Sequence, residues 1–298
     1  MAGRGPALLG LVAGCVYAQI KVDVDVVNVL CTVRDRNGAL VTNLDKDNFE
    51  VREDGQPQQI RYFARETDLP LTLGLLVDVS GSVRRLVQTE KDTAERFLKQ
   101  VLRPQDQALL TGFSSTVVLW QDFTESPAVL LAALQKLHAV PFRGVPKDGG
   151  PPPATLLYDA VYSTANTKFQ NVPGRKAMLV ISDGVDIGSR QTIQNAIRAV
   201  QSANTIVYGI CYGESRENGC SYLRSLAEPT GGRMFPITPK TPLSAIFETI
   251  QEELRSQYSL GYVSSNAARD GSYRKLQVEV RPKGFKVEVR KGFYAPSR

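Results

Sequence analysis

Apolar side chains fall at nearly every second position of IKVDVDVVNVLCTVRD, residues 20–35, and the alternation returns in NFEVRED and QQIRYFA, with turns at RNG and DGQ. A period of two belongs to half-buried strands, and short Gly-containing turns between them predict antiparallel hairpins. The carboxyl end repeats the style in QYSLGYVSS, SYRKLQVEVRP and GFKVEVRKGFY. Between Leu69 and Ser256 the pattern changes. Continuous apolar runs (LTLGLLV, QALLTGF, TVVLWQDF, KAMLVIS, NTIVYGICY, GRMFPI) alternate with amphipathic stretches near 84–102, 126–138, 155–168, 190–203, 220–228 and 243–256. Strands buried on both faces read as continuous apolar runs, so this part predicts a doubly wound, mostly parallel sheet covered by helices. The expected fold class is α/β, framed by a small antiparallel β-sandwich-like domain from both chain ends. The expected boundaries are 19–68 and 257–298 for the β domain and 69–256 for the α/β domain.

With 298 residues, 42% of them hydrophobic, the chain is long enough to bury a full core. A formal charge of +6 suits a basic patch, but the Lys and Arg residues are scattered, with only short pairs such as Arg84 and Arg85. No nucleic-acid partner is expected. The opening MAGRGPALLGLVAGCVYAQ carries Arg4, then an uncharged, largely apolar run, then Val-Tyr-Ala before Gln19. It reads as a bacterial export signal, residues 1–18, cleaved after Ala18. Val12-Ala13-Gly14-Cys15 also resembles a lipoprotein box, which would place a lipid anchor on Cys15. The expected location is therefore periplasmic, cell-envelope or secreted, and no later stretch is long and apolar enough to span a bilayer. Cys31 sits in a strand-like run and reads as a small buried hydrophobe. Cys211 and Cys220 flank YGESRENG and can close that loop as a disulfide in an oxidising compartment.

Chemistry concentrates where the apolar runs stop. After LTLGLLV come Asp78, Ser80 and Ser82, with Gly81 to curl the loop; after KAMLVIS comes Asp183, followed by a glycine. In a doubly wound sheet, loops at the carboxyl ends of strands line the ligand crevice. These residues offer only oxygen donors, which suit a hard divalent cation such as Mg2+, or Mn2+ or Ca2+. Thr155, in GGPPPATLLYDAV, adds a hydroxyl just ahead of a helix. Singly, Ser80, Ser82 and Thr155 also read as helix caps; jointly, their order and strand-end placement favour a metal site. Asp159 falls inside a helix and Asp186 reads as a loop cap.

Asp-x-Ser-x-Ser at 78–82, Thr155 before LYDA, and SDG at 182–184 together resemble the metal-ion-dependent adhesion site of von Willebrand factor type A domains, and more narrowly the bacterial proteins in which such a domain is flanked by β segments. The resemblance implies that Ser80 and Ser82 bind the metal directly, Thr155 directly or through water, and Asp78 and Asp183 largely through water. A divalent ion held mainly by neutral hydroxyls keeps a strong residual field, and a carboxylate from a protein partner can complete its shell. One departure from the family pattern is the loop GGPPPAT, where prolines and an alanine separate the glycines from Thr155.

No catalysis is expected. The chain has one histidine, His138, at helical spacing, and no Gly-x-Ser-x-Gly elbow surrounds Ser80 or Ser82. The alternatives are an Mg-dependent phosphohydrolase with Asp78 as nucleophile, for which Ser80 stands where a second acid is wanted, and a structural envelope protein with a vestigial metal site. Arg143 and Lys147 border the presumed site in a loop that would favour an acidic partner segment. Oligomeric state is not legible.

Overall fold

The computed structural model describes residues 26–65, 70–79, 91–137, 154–212 and 219–297; the signal segment with Cys15, and Ser80, Ser82, His138, Arg143 and Lys147, lie outside them. The chain opens with strands β1 (Val26–Arg34), β2 (Phe49–Glu53), β3 (Gln56–Gln58) and β4 (Ile60–Arg65). Strands and helices then alternate: β5 (Leu71–Asp78), α1 (Lys91–Val101), β6 (Gln107–Phe113), β7 (Val117–Thr124), α2 (Pro127–Lys136), α3 (Leu157–Thr164), β8 (Arg175–Ser182), α4 (Ile193–Ser202), β9 (Ile206–Cys211), α5 (Gly219–Ala227), β10 (Met234–Pro236) and α6 (Leu243–Arg255). The chain closes with β11 (Tyr258–Val263), β12 (Tyr273–Val280), β13 (Lys286–Val289) and β14 (Gly292–Tyr294).

The central sheet has the order β10-β9-β8-β5-β6-β7. All its pairs are parallel except the β6–β7 hairpin. Its apolar runs are continuous because alternate side chains enter different cores. Leu71, Leu73, Leu75 and Val77 of β5 pack with Phe97 and Leu98 of α1, Leu130 of α2 and Ile246, Phe247 and Ile250 of α6. Leu76, Met178 and Val180 face the opposite layer, with Leu157 and Val161 of α3, Val200 of α4 and Leu223 of α5. The Phe97 and Phe247 rings stack 4.1 Å apart, tying α1 to α6.

The terminal strands make two four-stranded sheets, β13-β1-β11-β4 and β14-β12-β2-β3. Each mixes strands from the two ends of the chain: β1 lies antiparallel to β11 and β2 to β12. Between the sheets pack Val29, Cys31 and Val33 from one and Val51, Leu276 and Val278 from the other. The alternation of β12 buries Arg274 as well as Leu276, Val278 and Val280. Arg274 is not stranded there, because its guanidinium pairs with buried Glu53 at 3.0 Å, and the Tyr262 and Ser264 hydroxyls donate to the same carboxylate.

A second buried charge group sits where the two modules touch. Glu253 of α6 accepts from Arg34 of β1 and from Arg233, and both arginines also approach Glu288 of β13. Among the described residues no helix is long and apolar enough to cross a membrane.

Candidate functional site

The order of the central sheet fixes where a site can form. From β5 the chain passes to α1 on one face; from β8, the neighbour of β5, it passes to α4 on the other. Connections that part to opposite faces leave a crevice at the carboxyl ends of that strand pair. Asp78 ends β5 and Asp183 follows β8, whose last paired residues are Val77 and Ile181. Both carboxylates expected at the site therefore lie at the rim of the crevice.

Hydrogen bonds tie the contributing loops together. The Asp78 side chain is fully buried, and its Oδ2 accepts from the Ser182 hydroxyl at 2.9 Å. Ser182 Oγ in turn accepts from the Gly184 amide at 3.0 Å, so one hydroxyl links the end of β5 to the turn after β8. Asp183 is half-buried, and its Oδ1 accepts from the Val185 amide, which fixes the turn around Gly184 at φ +85°. Thr155 makes a two-way backbone bridge with Ile187, three residues beyond Gly184. The next amide, Leu156, donates to the Ser114 carbonyl after β6, and the Val79 amide donates to Phe113. The ends of β5 and β6, the turn after β8 and the residues just ahead of α3 are thus fastened together at one end of the sheet.

The Thr155 bridge also explains why α3 begins at Leu157 rather than at 155. Its capping residue, Leu156, offers no side-chain cap, and the Tyr158 amide is taken instead by the Asp186 carboxylate. Asp186 is thus a cap supplied from another loop, steadied by the Ser189 hydroxyl. Asp159, in the first turn of α3, accepts from the amides of Arg190 and Gln191. Among the described residues the Thr155 hydroxyl makes no hydrogen bond, so it is not consumed as a cap. The set Asp78, Thr155 and Asp183 is all oxygen, and it fits a hard divalent cation. Among the described residues there is no cluster of three or more His, Cys, Asp or Glu side chains suited to a metal, so such an ion would depend on hydroxyls.

Two supports were not among the expected site residues. Ser182 orients Asp78, and the only signal for it is its place in the SDG motif. The second is a backbone contact: a Cβ on Gly184 would sit 2.0 Å from the Gly219 carbonyl, and one on Gly219 would sit 2.1 Å from the Asp183 carbonyl. The start of α5 presses against the Asp183 turn, and the Cys211–Cys220 disulfide clamps it there from the end of β9. Cys211 Sγ lies 3.6 Å from the Asp183 carbonyl.

Residues 73–186 match the family model described as von Willebrand factor type A domain. No curated protein matches the chain. Among solved structures, a von Willebrand factor type A protein from Catenulispora acidiphila is 14% identical, covers 92% of this chain and 74% of its own, and has a TM-score of 0.50. Proximal thread matrix protein 1 from the mussel byssus, in a form with a zinc-occupied MIDAS motif, is 15% identical with a TM-score of 0.52. That match covers 66% of this chain and 48% of the mussel one. At such identities the likeness is one of fold.

Proposed function

With residues 73–186 belonging to the von Willebrand factor type A domain family, we propose that the chain is a divalent-cation-dependent binding module that captures a carboxylate of a protein partner. The observation that carries this reading is the fastening of three oxygen-bearing segments at the switch point of the sheet, with the Thr155 hydroxyl unbonded among the described residues. Ser80, Ser82 and Thr155 would hold the cation through hydroxyls, and Asp78 and Asp183 would act largely through water. Mg2+ is the first choice for an oxygen-only set, with Mn2+ or Ca2+ as substitutes. When bound, the ion supplies a Lewis-acidic point on the surface that accepts one further oxygen. Ser182 keeps the Asp78 carboxylate aimed by donating to it, and the Gly184 turn presents Asp183 at the rim. That a mussel byssus protein of similar fold carries a zinc-occupied MIDAS motif supports a divalent ion in this reading.

The module binds rather than catalyses. A phosphohydrolase of this layout needs a strand-end carboxylate free to attack, whereas Asp78 has no exposed surface and accepts from Ser182. We also place the mature chain outside the cytoplasm. The Cys211–Cys220 disulfide supports this, since such bonds persist in oxidising compartments.

Titration calorimetry with Mn2+ tests the reading. Asp183→Ala should remove detectable binding, and Thr155→Ala should weaken it by about tenfold, as expected for one lost ligand of roughly 1.4 kcal/mol. A peptide with amidated ends and one central Glu should bind only when Mn2+ is present. Undiminished Mn2+ affinity in Asp183→Ala would overturn the proposal.

A further inference from the structure

The two ends of the Cys211–Cys220 disulfide are held very differently. Cys211 is the last residue of β9, fully buried, and in register with Ser182 of β8, the serine that aims Asp78. The sheet fixes that end. Cys220 is partly exposed and lies in the first turn of α5, where Gly219 is buried but Ser221 and Tyr222 are exposed. The first apolar side chain that α5 commits fully to the core is Leu223, one turn further on.

Helix starts fray, because their first amides have no partner within the helix, and glycine holds a helical conformation poorly. Yet Gly219 is the residue that must stay pressed on the Asp183 turn. That contact is backbone against backbone, flanked by Leu223 over Gly184 and by Val185 over Gly219. The bond to β9 is the strongest tie on this first turn. What the turn holds in place is the metal edge itself: Asp183 lies in it, and the Gly184 amide donates to the Ser182 hydroxyl that donates to Asp78.

We propose that closure of the Cys211–Cys220 disulfide arms the cation site, which is weak in the dithiol form and gains affinity on oxidation; the inference rests on the cation-binding reading above. With a disulfide such as oxidised glutathione as oxidant, the partly exposed Cys220 thiolate attacks one of its sulfurs and releases one glutathione thiolate. The Cys211 thiolate then attacks the Cys220 sulfur and displaces the second. Two thiols lose two electrons and two protons, and the oxidant becomes two thiols. A chain made in a reducing compartment and exported to an oxidising one thus acquires its site after export.

Mn2+ calorimetry on the full chain carrying Cys15→Ser, which leaves the pair and buried Cys31 as its cysteines, tests this. The oxidised protein is compared with protein treated with dithiothreitol and desalted without air. Reduction should weaken Mn2+ binding by about tenfold, within the usual range of coupling between two sites, and oxidised glutathione should restore it. Cys211→Ala with Cys220→Ala should bind like the reduced chain whether or not oxidant is present. Coupling is reciprocal, so saturating Mn2+ should shift the glutathione redox equilibrium of the pair about tenfold toward the disulfide, or about 30 mV. Hydrogen exchange in EDTA reads the turn without the ion: reduction should speed exchange of the Gly184 and Val185 amides about tenfold while β5 and β8 keep their protection. Equal Mn2+ affinity in the two redox forms, or a redox equilibrium indifferent to Mn2+, overturns the inference. So does loss of protection throughout the central sheet, which makes the bond a support of the whole fold. If the oxidised chain binds no Mn2+, the cation-binding reading fails on its own; faster exchange at the two amides then upholds the lock on the turn, and unchanged exchange overturns that too.

Discussion

At the scale of single residues, the Asp183 turn depends on two glycines that touch. Gly219→Ala would drive a methyl group into the Asp183 carbonyl, and the displacement has to be taken up by the turn, because the carbonyl belongs to backbone. The expected outcome is a stability loss of about 1–3 kcal/mol with a larger proportional loss of Mn2+ affinity, read by urea unfolding and calorimetry on the same preparation. The cysteines separate by the same kind of reasoning. Burial pushes the Cys31 thiol up to about 12, so near neutral pH it stays protonated and, being enclosed by the β core, unreactive. Alkylation of the native protein without reductant should leave Cys31, Cys211 and Cys220 unmodified, whereas denaturation alone should expose only Cys31 of these three. Peptide mass mapping reads this directly, and labelled Cys211 and Cys220 in the unreduced sample would show that the bond is not formed. Cys31 is legible in the sequence because it occupies an inward place in an alternating strand. The role of Ser182 is not, because a serine after a strand has no period and gains meaning only from what lies across the sheet.

At the scale of elements, β5, β6 and β8 stand out in the sequence because burial on both faces leaves an apolar run that no surface helix carries. The carboxylates at the ends of β5 and β8 follow from the same pattern. The start of α3 does not, since it is set by a bridge between Thr155 and Ile187 that joins distant segments. The contact of α6 with the terminal strands is equally hidden, because it rests on charges and not on periodicity. Glu253 lies under Arg34 and Arg233, yet its carboxyl is held above its ordinary range, chiefly by burial and further by Glu288, against the pull of the two arginines. A carboxyl that prefers its proton in the folded state gives stability that is complete below its unfolded pKa and is lost as pH rises through the folded value. Glu253→Gln removes that titration. The gap in urea stability between native and Gln proteins should shift in favour of the variant as pH rises above about 4.5, by at most about 1.4 kcal/mol per pH unit. A gap that does not change with pH would mean that Glu253 titrates alike in both states.

At the scale of the whole molecule, the terminal strands are partners across almost the entire chain. The Tyr262 hydroxyl reaches Glu53 over 209 positions and Arg290 reaches Asn28 over 262. The parallel sheet between them closes on contacts nearer in sequence, β5 with β6 and β8 with β9. Contacts over long separations form late, because the loop must close before the pairing rewards it. As the polypeptide emerges from the ribosome, β1 to β4 have to wait for β11 to β14, with open strand edges throughout. A nascent chain stopped before Tyr258 thus presents sticky, unpaired edges while its middle is able to fold, so premature termination should yield aggregates rather than a smaller working protein.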